Sequence, residues 1–141
     1  MGPERPIPPP GSPGQWLEFA ESDLRLAEVA AADAVIRREQ ACFHAQQAAE
    51  KAIKAVLVLH KAGFPYTHSL EHLLALAERH GIPLPAPVRE AGFLTPYAVE
   101  ARYPGPWPPV SEAELQNALR IAGEVVEWAR KIIRQAQQAE P

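Results

Sequence analysis

The chain is short of most features by which a sequence announces its work. One cysteine, Cys42, stands alone among 141 residues, so no internal disulfide can form, and its place in an apolar stretch suits a small core residue. Fourteen Lys and Arg against seventeen Asp and Glu leave a charge of −3, so there is no global basic footprint, and any contact with nucleic acid must come from a local patch. No run approaches the ~20 apolar residues of a membrane helix. The opening MGPERPIPPPGSPG lacks the apolar core of a signal peptide; its proline crowding favours an extended tail over residues 1–12. A cytoplasmic protein with no membrane partner is expected. Alternation at period two is missing over any useful length, which argues against a sheet. No Gly-x-Ser-x-Gly elbow and no Gly-x-x-x-x-Gly-Lys loop occurs, and no histidine follows His80.

What is present is helix. The stretch Ala41 to His60 is the longest that is apolar, helix-favouring and free of both glycine and proline, and the rest of the chain is expected to pack on it. Phe43, Ala49, Ile53, Val56, Leu57 and His60 recur at three- and four-residue steps on one side of it, and Gly63 stands where a cap is expected. Ser12-Pro13-Gly14-Gln15 signals an earlier helix, with serine as cap and proline at the first turn; Trp16, Leu17, Ala20, Leu24, Ala27 and Ala31 form its stripe. A single helix from 13 to 62 would be ~75 Å long at 1.5 Å per residue, so a break is expected near Asp33 to Arg38, with Asp33 as a cap. A third helix, capped by Thr67 or His68, follows with Leu70, Leu73, Leu74 and Ala77 and ends at Gly81. Prolines 83, 85 and 87 lead into a short helix that Thr95-Pro96 restarts or kinks, giving a turn from Tyr97 to Tyr103 closed by Pro104. PGPWPPV is a bend carrying Trp107, which would anchor an interface or cap the core. Ser111 and Glu114 form a capping box for the last helix. The expectation is an all-α antiparallel bundle over residues 13–137, four long helices with a short kinked one before the last, and a terminal tail at 138–141.

Several polar residues sit oddly for a buried central helix: Gln46, Gln47, Glu50, Lys51 and Lys54 lie close to the apolar stripe. Lys51 and Lys54, three apart, would line a phosphate groove, or Glu50 would hold Lys54 in an i,i+4 pair of about 0.3–0.5 kcal/mol. His68 and His72 stand four apart, within reach of one metal ion, but no third ligand is anchored nearby, and neither a metal nor any other cofactor is assigned. Arg102 offers a planar fork for phosphate, flanked by Tyr97 and Tyr103, which could stack on a nucleotide ring. Equally, Tyr103-Pro104 would dock the short helix while Arg102 pairs with Glu50 or Glu100.

The central AQQAAEKAIKAVL, then Thr67-His68-Ser69-Leu70 and Leu73-Leu74, then Tyr97 and Glu100-Ala101-Arg102-Tyr103-Pro104, resembles the HEPN domain family of small prokaryotic helical proteins, over roughly Trp16 to Ile133. The resemblance implies a dimeric bundle, often paired with a minimal nucleotidyltransferase made as a separate chain. Family members include RNases of toxin–antitoxin systems and members without nuclease activity. The RNases carry an arginine followed after four to six residues by a histidine in the later part of the domain; here Arg102 has no such partner, and the Arg38–His44 pair lies in the wrong half. Metal-independent RNA cleavage moves protons at the 2′-hydroxyl and the leaving oxygen, work for which histidine is tuned. The resemblance and this departure together imply a non-catalytic homodimeric module that binds a nucleotide, an RNA segment or a nucleotidyltransferase. Candidate binding residues are Arg102, Tyr103, Tyr97, Lys51, Lys54 and His68. The alternative is an RNase toxin in which His68 or His44, brought close in space, completes a rearranged pair.

Deleting residues 1–11 should change the unfolding free energy little, measured by urea denaturation; a large loss would mean that this segment packs on the bundle.

Overall fold

A computed structural model describes residues 8–99 and 104–139. Helix α1 spans Pro13–Ala32, α2 Arg38–Leu59, α3 Leu70–Arg79, α4 Ala86–Arg89 and α5 Glu112–Ala139; a 3-10 segment, Glu90–Ala98, follows α4 directly. No strand occurs among the described residues. The bundle is all-α. Its axis is α2, which packs on α1, α3, α5 and the 3-10 segment.

Small side chains allow that central position. Thirteen residues of α2 are buried, among them Ala41, Ala45, Ala48, Ala49, Ala52 and Ala55, so neighbouring helices approach it closely from several sides. Ile53, Val56 and Leu57 supply the bulk, and α1 answers with Leu17, Ala20, Ala27 and Ala30. The short turn from 33 to 37 sets α1 and α2 antiparallel. Helix α5 starts at the same end as α2, where Arg38 Nε meets Glu112 Oε2 at 3.2 Å and Arg38 also donates to the Val110 carbonyl. It then runs antiparallel to α1, with Arg130 clamped on Glu21.

Helix ends show which local signals prevail. Ser12 Oγ accepts from the Gln15 amide, and the Gln15 side-chain oxygen accepts in turn from Gly11 N, one residue before the cap. Ser111 caps α5 by accepting from Glu114 N. Elsewhere the expected caps shift. Arg37 occupies the cap position of α2, while Asp33 Oδ1 instead accepts from Val35 N and Ile36 N to round the turn. Ser69, not Thr67 or His68, caps α3, and Thr67 Oγ1 accepts from Ser69 N. At the end of α2 the left-handed residue is Lys61 (φ 56°) rather than Gly63. Thr95 does not restart a helix: its hydroxyl accepts from Leu70 N and donates to Glu71, so the 3-10 segment is bolted to the start of α3 and runs through Pro96. The expected turn from Tyr97 to Tyr103 is described only to Val99. Trp107, 39% exposed, covers Gly105 so closely that a Cβ there would lie 1.9 Å from the indole.

Ile53 is fully buried at the centre of this packing. Ile53→Ala should cost about 2–5 kcal/mol in urea denaturation, against less than about 0.5 kcal/mol for the exposed Gln116→Ala.

Candidate functional site

The polar residues of α2 fall into two groups because each finds a different partner. Glu50 is 4% exposed and Lys54 5%, one turn apart on the buried side of the helix. Glu50 Oε2 accepts from Lys54 Nζ at 3.0 Å; Oε1 accepts from Gln46 Nε2 at 3.0 Å and meets His68 Nδ1 at 2.8 Å. Gln46, wholly buried, also donates to the His68 carbonyl at 3.3 Å, and its own oxygen accepts from Gln47 at 2.6 Å. Lys54 Nζ lies 5.7 Å from the Trp16 ring centre and 5.3 Å from that of Phe64, and those two rings meet edge to face at 6.0 Å. A carboxylate, an ammonium and an amide are thus removed from water among polar or aromatic partners, which is what burial of such groups demands. The ordinary i,i+4 value does not describe this pair, since little solvent screens it.

Burial by itself would push the Glu50 carboxyl up. The hydrogen bonds from His68, Lys54 and Gln46, with the Lys54 charge, outweigh burial and hold it below the usual carboxylate value. Because Glu50 is an acceptor, His68 Nδ1 carries the proton in the neutral ring and Nε2 is the bare nitrogen.

Lys51 faces elsewhere. It pairs with Asp23 of α1, whose other oxygen meets His44 Nδ1 at 3.4 Å. Lys51 and Lys54 therefore do not form one phosphate-lining pair: 28 residues of sequence separate Lys51 from its partner, and nothing local signals it. Tyr97 lies on another side, where it reaches the Cys42 thiol and lines a cleft of about 210 Å³ between the 3-10 segment and α5 with Phe93, Leu94 and Asn117. Burial, with the charges of Glu39 and Glu114, pushes the Cys42 thiol up to about 12, so it stays protonated and inert. A larger hollow, about 530 Å³, opens at the α1–α2 turn beside Pro109 and Val110. None of the described candidate residues lines it. Arg102 and Tyr103 lie outside the described residues. Glu50, named as a possible mate for Arg102, already holds three donors. Sequence reasoning did not single out Asp23, whose only local sign is a carboxylate within an alanine- and leucine-rich helix, or the exposure of Tyr66. Among the described residues no three His, Cys, Asp or Glu side chains are placed to share a metal ion.

The chain is thus a helical bundle threaded on a central helix that carries a buried Gln-Glu-Lys group. The HEPN domain model matches residues 14–132, and the chain belongs to the HEPN domain family. Two solved structures are similar to it. TT1696 from Thermus thermophilus is 29% identical, with a TM-score of 0.71, over 86% of this chain and 98% of that one. ST0689, an archaeal HEPN homologue, is 29% identical, with a TM-score of 0.70 and the same coverage. No curated protein matches the chain at a significant level.

Removing Glu50 alone leaves Lys54 buried without its counter-charge, so Glu50→Ala should cost about 3–5 kcal/mol, and Glu50→Leu with Lys54→Met should cost less than that single change. A depressed carboxyl adds stability that is present above its unfolded value and lost as pH falls through the folded one. Wild-type stability should accordingly drop on acidification below about 4.5, and the part of that drop due to Glu50 should vanish in the double variant, followed by urea denaturation across pH.

Proposed function

We propose that this chain is a self-associating, non-catalytic HEPN module that holds a nucleotide or an RNA segment, or presents a surface to a nucleotidyltransferase, in a toxin–antitoxin-like system. The observation that carries it is the outward stripe of α1. Phe19, Leu26 and Val29 are 55%, 46% and 50% exposed, and spacings of seven and ten residues bring them to one side of the helix. Large apolar side chains gathered on one outer helix face favour contact with another protein surface, and a second copy offers a matching one. Beside the stripe, Asp23, Lys51 and His44 form a half-buried polar edge. Tyr97, near the end of the 3-10 segment, with Arg102 and Tyr103 further along the sequence, would hold a nucleotide or RNA end.

The RNase alternative keeps one specific support. His68, ordered by Glu50 at 2.8 Å and 32% exposed, has the arrangement of a carboxylate-oriented general base. Its bonded neighbours are Glu50 and Gln46, neither of which supplies the arginine that the RNase pair requires.

Sedimentation at micromolar concentration should give a dimer, and Leu26→Asp should give a monomer with little loss of fold; a wild-type monomer would overturn self-association. With metal chelated, the wild type should retain mixed-sequence RNA or nucleotide uncut and Arg102→Ala should release it. Cleavage that is lost in Arg102→Ala would instead establish an RNase.

A further inference from the structure

The loop between α2 and α3, residues 60–69, is ordered by bonds at both ends yet presents one ring almost completely to water. Ala62 N donates to Leu57 O at 2.9 Å, Phe64 stands against Trp16, and the His68 carbonyl accepts from buried Gln46. Ser69 then caps α3. Between these fixed points Tyr66 is 91% exposed, with its ring 5.4 Å from the His68 imidazole at 70°. An exposed aromatic on an already ordered backbone can stack on a flat ligand without a further ordering cost to the loop. Beside it, the Glu50 contact directs the protonated Nδ1 of His68 inward and leaves Nε2 as a hydrogen-bond acceptor.

Charge on the loop favours a phosphate-linked ligand. Residues 60–69, HKAGFPYTHS, include Lys61 and no carboxylate. Of the nearby carboxylates, Glu50 is occupied by Gln46, Lys54 and His68, and Glu71 by Thr95 and Ser69.

We propose that Tyr66 and His68 form a shelf for one unpaired nucleobase, with Tyr66 stacking on its face and His68 Nε2 accepting from an exocyclic amine. This rests on the proposed binding of RNA or nucleotide and names where the base is held. Adenine fits better than uracil: its two-ring face is larger, and its N6 amine donates where uracil has only carbonyl oxygens outside the ring. Lys61, exposed at the start of the loop, meets the backbone phosphate.

The test is fluorescence anisotropy of a short labelled oligoadenylate and a matching oligouridylate, with metal chelated. The wild type should bind oligoadenylate several-fold more tightly. Tyr66→Ala should weaken binding roughly tenfold, as loss of one stacked base does, with an unchanged melting temperature, and Tyr66→Phe should restore it. His68→Asn keeps a donor where Nδ1 stood and removes the acceptor at Nε2; it should abolish the preference for adenine while binding persists. Unchanged binding in Tyr66→Ala, with RNA still held by the wild type, would overturn the shelf and leave the broader proposal standing. Equal affinity of the wild type for both oligonucleotides would overturn the role given to His68. Binding of neither would overturn the shelf together with the nucleic-acid reading beneath it.

Discussion

Glu50, a buried carboxylate with three donors, ties the central helix to its neighbours. A carboxylate in the middle of the central helix must be either neutralised or surrounded by donors, and here it is surrounded: Gln46 and Lys54 from its own helix, His68 from the loop beyond. Satisfying it fixes three things together. Lys54 is held under Trp16 and Phe64, which joins the start of α1 to the loop after α2. The imidazole of His68 is set in one orientation. The carbonyl of His68 is tied through Gln46, which places the start of α3 against the bundle. An apolar core of the same volume would often be as stable or more so, so burial of the network is by itself weak evidence of added stability.

Packing around that network follows from alanine. With six alanines buried along α2, α1 and α5 come close enough for Asp23 to meet Lys51 and His44 and for Arg38 to reach the turn before α5. The same closeness sorts the larger apolar groups of α1. Leu17 is swallowed by the core and Trp16 and Leu24 pack partly buried against it, whereas Phe19, Leu26 and Val29 are left outside. An apolar surface on α1 and an aromatic one on the loop at Tyr66 result, separate in chemistry.

The helices were legible because their signals are local. Ser12-Pro13 and Ser111–Glu114 act over three residues, and the apolar steps of α2 and α3 are regular enough to need no partner in view. Where neighbours compete, the signal divides: Thr67, His68 and Ser69 can each cap a helix, and the fold gives the cap to Ser69 because His68 is claimed by Glu50. Thr95 reads as a cap, yet its hydroxyl is spent on Leu70 and Glu71, 25 and 24 residues away. The HEPN resemblance, carried by three separated motifs, agrees with the family match over residues 14–132. The candidate site was legible only in part. Its polar residues stood out on α2, but which face each would take depends on Asp23 and His68, and those pairings exist only in three dimensions.

Glu50 fixes the ring of His68, and nitrogen-15 NMR of the labelled imidazole reads that orientation. In mildly alkaline solution the ring should be the tautomer protonated at Nδ1, with Nε2 showing the shift of a bare ring nitrogen and Glu50→Ala abolishing that bias. A wild-type ring protonated at Nε2 would contradict it.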